Sequence, residues 1–133
     1  MQDEPTPTEL VQAVADFLRN DVAPLLSGHD AFKLRVGINA LDLVVRQLTQ
    51  AAPAEAAEFS RLKQLLGQDG DLLDLNRALA ELIASGAVDL DTPGLKAHLW
   101  QTTLDKLTVD QPNYASYKCE AGRDQGEEGK GVT

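Results

Sequence analysis

Cysteine is almost missing from this 133-residue chain: Cys119 stands alone. One thiol builds neither a disulfide framework nor a metal cluster within one chain, and a reduced compartment is the simple reading. Histidine is scarce too. His29 falls in a turn and His98 on the outer face of the last predicted core helix. Neither is spaced from another histidine or cysteine as metal ligands are, so no metal site and no cofactor are expected. Basic residues are outnumbered, 12 against 21, for a net charge of -9. Such a surface repels phosphate backbones and anionic lipid heads, which argues against nucleic acid and membrane as partners. No apolar run approaches bilayer-spanning length. The start, Met1-Gln2-Asp3-Glu4-Pro5, lacks the apolar stretch of a secretory signal, so a cytoplasmic protein is expected.

Catalytic machinery is equally thin. Cys119 lies in a polar stretch where nothing fixes a base beside it. Gly122, Gly126, Gly129 and Gly131 neither follow a strand nor precede a helix, which makes them linker rather than phosphate loop. Acidic pairs such as Glu127-Glu128 are not on rigid elements. The chain is therefore not expected to be an enzyme on its own.

What is present is helical. Thr6-Pro7-Thr8-Glu9 has the form of a capping box with proline at the first helical position, followed by Leu10, Val14, Phe17 and Leu18 on one apolar face. Pro24 ends or kinks that helix, and Ser27-Gly28-His29-Asp30 turns the chain. A second helix is expected over about 31–51, and Pro53 restarts a third that buries Phe59, Leu62, Leu65 and Leu66 before Gly67. The fourth places Leu72, Leu75, Leu79, Leu82 and Ile83 on one arc and stops at Gly86. Val88-Asp89-Leu90 reads as extended. Thr92-Pro93 opens a fifth helix to about 109, whose buried arc is Leu95, Leu99, Trp100, Leu104 and Leu107. Sustained strand alternation and internal repeats are absent. The sequence thus predicts an all-α, single-domain bundle of about five helices over 5–117, with a disordered polar tail over 118–133.

The second helix is the unusual one. At about 100° per residue, Leu34, Ile38, Leu41, Val45 and Leu48 form one stripe, and Phe32, Val36 and Leu43 another. Between them runs a polar line, Arg35, Asn39, Asp42 and Arg46. A helix apolar on most sides belongs inside something, and polar groups enclosed there need partners. The line is either an internal ladder, with Asp42 and Arg46 paired at i, i+4, or an arginine-bearing groove for a carboxylate, phosphate or acidic partner side chain. Two further candidates lie near the end. Lys106 falls between Leu95 and Leu99 on its wheel, either snorkelling outward or paired with a carboxylate such as Asp21. Tyr114, after the Pro112 corner, either packs back on the bundle or anchors a contact.

Several stretches resemble one uncharacterised bacterial family. They are Pro5-Thr6-Pro7-Thr8-Glu9-Leu10 with Val14 and Phe17-Leu18; Phe32-x-Leu34-Arg35-Val36-x-x-Asn39-Ala40-Leu41 with Val45-Arg46; Leu75-Asn76-Arg77; and Leu104-Asp105-Lys106-Leu107-x-Val109-Asp110-x-Pro112-x-Tyr114. Together they cover residues 5–117, with Gln111 where many relatives carry asparagine. Members of that family accompany a kinase resembling aminoglycoside phosphotransferases and an acyl-CoA dehydrogenase. Its best-understood relatives resemble the small subunit of the two-part kinase of levulinate catabolism, which phosphorylates the hydroxyl of a 4-hydroxyacyl-CoA. The resemblance implies a cytoplasmic, non-catalytic accessory subunit that supports the kinase large subunit, with acyl-CoA at a shared pocket. Arg35, Asn39 and Arg46, then Lys106 and Tyr114, are the expected partner or ligand contacts. Two other readings stay open: a bundle that itself binds acyl-CoA or a carboxylate, and a freestanding homodimer.

Overall fold

The computed structural model describes residues 4–127, and among the described residues every regular element is helical. α1 spans Pro7–Phe17 and runs into a π-helical segment, Leu18–Val22, and a 3-10 turn, Ala23–Leu25. α2 spans Gly28–Leu66, α3 Leu72–Ala84, α4 Leu95–Asp110 and α5 Ala115–Glu127. The chain divides into two compact units, Met1–Ala52 and Pro53–Thr133.

The start of α1 is the capping box that its sequence predicts. Thr6 Oγ1 accepts the Glu9 N–H at 3.3 Å, and Glu9 Oε2 accepts the Thr6 N–H at 2.7 Å. The Thr6 N–H first, then its hydroxyl, hold the Glu9 carboxyl below its ordinary range. The apolar face differs from expectation. Leu10, Val14 and Phe17 are exposed, and the residue that α1 buries is Ala15. In the same unit Ile38 of α2 is buried, and Arg19 reaches α2 from the π segment. Arg19 Nη2 donates to both Asp42 oxygens, at 2.7 and 2.8 Å, and Nη1 to Asp16 at 2.9 Å. Its pKa is raised, chiefly by Asp42.

Pro53 does not restart a helix; it sits inside one of 39 residues. Proline has no N–H for the carbonyl four residues back, Thr49, and its ring crowds that turn. The alanines at 51, 52, 54, 56 and 57 favour helix on both sides, and burial of the following turns holds the second half in place. Pro53→Ala restores the missing donor. It should raise stability by about 1–2 kcal/mol after allowing for the unfolded-state freedom that proline withholds. Urea unfolding followed by circular dichroism would register this as a higher midpoint.

The second unit has a leucine core. Leu62 of α2, Leu75 and Leu79 of α3 and Leu95 of α4 are buried together, with Phe59, Leu65, Leu66, Leu72 and Val88 packed against them. α2 ends on Gly67, whose N–H still bonds the Lys63 carbonyl at 2.9 Å and whose φ of 63° turns the following chain out of the helix. Asp71 caps α3 by accepting the Asp74 N–H at 2.8 Å, and Gly86 stops it with φ 73°. Residues 88–90 are not extended but lead into a turn. In it the Thr92 hydroxyl accepts the Asp89 N–H at 3.0 Å. Thr92 is thereby drawn away from capping, and α4 begins after Gly94 without a side-chain cap.

The polar stretch from 118 also departs from expectation. Residues 118–127 belong to α5, which follows the Pro112 break and is fastened to α4 by a 2.6 Å hydrogen bond between Tyr117 Oη and Thr108 Oγ1. The remainder of the expected tail, 128–133, lies outside the described residues.

Candidate functional site

The predicted polar line of α2 is not enclosed. Arg35 and Asn39 are exposed, and Arg46 and Asp42 are half-buried. Asp42 is engaged from outside its helix by Arg19, 23 residues earlier. The two apolar stripes behave differently. Ile38 is buried and Leu34, Leu41 and Val45 are partly so, whereas Phe32 keeps 55% and Val36 53% of their surface exposed. The ring of Phe32 stacks on His29, centroids 6.5 Å apart. One face of the helix is thus satisfied within the chain. The other presents Phe32 and Val36 to solvent beside Arg35 and Asn39, with exposed Lys33 on its far edge. Contiguous apolar surface rimmed by polar groups is the usual mark of a contact site.

Lys106 and Tyr114 are exposed and lie in the second unit. Lys106 is placed inward by the predicted buried arc of α4, and that arc is displaced in the structure. Leu99 and Trp100, assigned to that arc, are exposed, and the line that turns inward is Leu95, His98, Thr102, Asp105 and Val109. Lys106 falls outside it. Tyr114 keeps 52% of its surface exposed, and its N–H bonds the Gln111 carbonyl at 3.0 Å to close the turn after α4. Cys119 is exposed on α5.

The inward line of α4 brings polar side chains against α2. Arg61 Nη2 approaches Thr102 Oγ1 and Asp105 Oδ2, each at 3.4 Å, and Gln101 Nε2 donates to Asp105 Oδ1 at 2.8 Å. His98, expected on the outer face, is 3% exposed. Burial first, then the Arg61 charge, push its pKa down against a smaller opposing pull from Glu58. Glu58 itself accepts from Asn76 Nδ2 at 2.8 Å. Arg61 Nε and His98 Nδ1 are buried without a hydrogen-bond partner. Arg61 and His98 border a groove of about 990 Å³ whose lining joins small or apolar residues, among them Pro53, Ala54, Ala57, Leu65 and Ala97, to Gln64, Gln101 and Asp105.

The sequence does not single out Arg61, and it places His98 on the wrong face. The detectable signal is the spacing 95, 98, 102, 105, 109, which alternates three and four as a packed helix seam does. The richer leucine and tryptophan pattern beside it masks that seam. Among the described residues no group of three histidine, cysteine or acidic side chains could hold a metal ion.

No curated protein and no solved structure matches the chain. The model of one family does match, over residues 24–114, a span that takes in Arg35 and Asn39 as well as Arg61 and His98. That span is most of the sequence, and the chain therefore belongs to the family defined by the domain of unknown function DUF6285.

Proposed function

We propose that this chain is the non-catalytic accessory subunit of a hydroxyacyl-CoA kinase whose large subunit resembles aminoglycoside phosphotransferases, acting in short-chain hydroxy acid catabolism in the cytoplasm. The observation that carries a subunit role is the exposed stripe of α2, Phe32 and Val36, edged by Arg35 and Asn39 on one side and Lys33 on the other. Large apolar side chains at helical spacing gain most when a partner covers them. The cationic edges, in a protein of net charge -9, favour a partner surface whose apolar strip is bordered by acidic residues. A second copy meeting the same stripe would set cations against cations, which disfavours the homodimer through this face. The identity of the partner rests on the resemblance of the Phe32–Arg46 and Leu104–Tyr114 motifs to small kinase companions.

The test is co-expression with the kinase large chain, followed by gel filtration and turnover of a 4-hydroxyacyl-CoA. The two chains should co-elute, and the kinase should turn over at least about ten-fold faster with the subunit. Phe32→Asp should weaken association by about thirty-fold, the effect of losing one aromatic hot spot, while the helical signal stays unchanged. Equal turnover with and without the small chain would sink the proposal.

A further inference from the structure

We propose that the groove between α4 and the second half of α2 is a binding site for a small monocarboxylate with an apolar body, its carboxylate held by Arg61. Three observations converge there. The Arg61 guanidinium is under-coordinated: both of its contacts come from Nη2 at 3.4 Å, and Nε is buried with no acceptor. Guanidinium–carboxylate bonds usually close to about 2.7–2.9 Å, so the Asp105 pair leaves much of the donor capacity unused. His98 is the second observation. It is 97% removed from solvent by its 3% exposure, it borders the groove, and its Nδ1 also lacks a partner. Buried polar atoms without partners are rare and costly, and two beside one groove indicate that something polar completes the set.

The third observation is the shape. Ala54, Ala57, Ala97, Pro53 and Pro93 leave about 990 Å³ open and bring no charge of their own, while Gln64 and Gln101 add only neutral amides to the lining. This suits a ligand with a short alkyl body. Asp105 selects the charge of the head group. With its carboxylate already sharing Arg61, and Glu58 nearby, a dianion such as phosphate would face repulsion that one guanidinium does not offset. A single negative charge is the better match.

The experiment uses the full chain at pH 7, with hexanoate as probe and hexanamide as its neutral counterpart. In amide correlation spectra, hexanoate should shift Ala97, His98 and Gln101 saturably, with a dissociation constant of about a millimolar or tighter. Hexanamide should bind at least about ten-fold more weakly. The double variant Arg61→Gln/Asp105→Asn removes both charges together, avoids a stranded carboxylate and should lose at least about ten-fold in affinity. Ala57→Leu alters no charge and fills the groove from an exposed position, so it should abolish the shifts with the helical signal intact. The proposal is overturned if hexanoate leaves those amides unmoved, if hexanamide binds as well, or if Ala57→Leu binds like the parent.

Discussion

Leu62→Ala should destabilise the second unit by about 3–5 kcal/mol. Leu62 is 0% exposed and lies where α2, α3 and α4 meet, against Leu75, Leu79 and Leu95. Removing its isobutyl group forfeits the transfer free energy of the lost carbons. It also leaves a void that three helices, each held by its own neighbours, close only in part. Domains of this size have total stabilities of about 5–15 kcal/mol, so the loss is a large fraction of the whole. Leu73→Ala is the matched control: same chemistry, adjacent helix, but 67% exposed, and its effect should stay within about 0.5 kcal/mol. Urea unfolding of both variants decides the matter. If the two midpoints shift alike, the leucine core is misassigned.

Where a local rule and the global packing agree, the reading holds. Thr6 and Glu9 cap α1, Gly86 ends α3 and Leu75 and Leu79 face inward, each through chemistry confined to a few neighbouring residues. Where the outcome depends on a distant partner, it does not. Asp42 receives Arg19 from another segment, 23 residues earlier, a contact that periodicity within one helix cannot express. Pro53 is the strongest stop signal in the middle of the chain, but burial on its far side outweighs one missing hydrogen bond.

The candidate sites divide in the same way. Arg35 and Asn39 were identified because apolar residues surround them in the sequence, and the inference that they are enclosed fails because only one of the two stripes packs within the chain. Both side chains lie at the edge of an exposed face instead. Arg61, His98 and Asp105 are not legible as a group for the opposite reason. Each is individually ordinary, and only the meeting of α2 with α4 makes them a group.

His98 gives this cluster a pH signature. A histidine whose folded-state pKa is depressed binds fewer protons in the native than in the unfolded chain, so unfolding takes up a proton as the solution becomes acidic. Its contribution is therefore fully present above the ordinary histidine value of about 6.5 and is lost as pH falls toward and through His98's own lower value. Within that window stability should fall by as much as about 1.4 kcal/mol per pH unit. The groups acting on the ring are named by the structure: Arg61 opposes protonation, Glu58 favours it, and burial outweighs both. The exposed carboxylates whose pKa values are lowered, Glu9 and Asp69, contribute with the same sign but only in the more acidic carboxylate range. The interval from pH 7 to about 5.5 therefore isolates the imidazole. Urea midpoints across that interval should decline in the parent and stay level in His98→Leu, which replaces a ring whose Nδ1 lacks a partner with an apolar side chain. Proton spectra provide the independent check, since the His98 ring signal should titrate below that of a free imidazole. A parent curve as flat as that of His98→Leu would mean that the ring stays open to water and protons in the native state, contrary to its placement between α2 and α4.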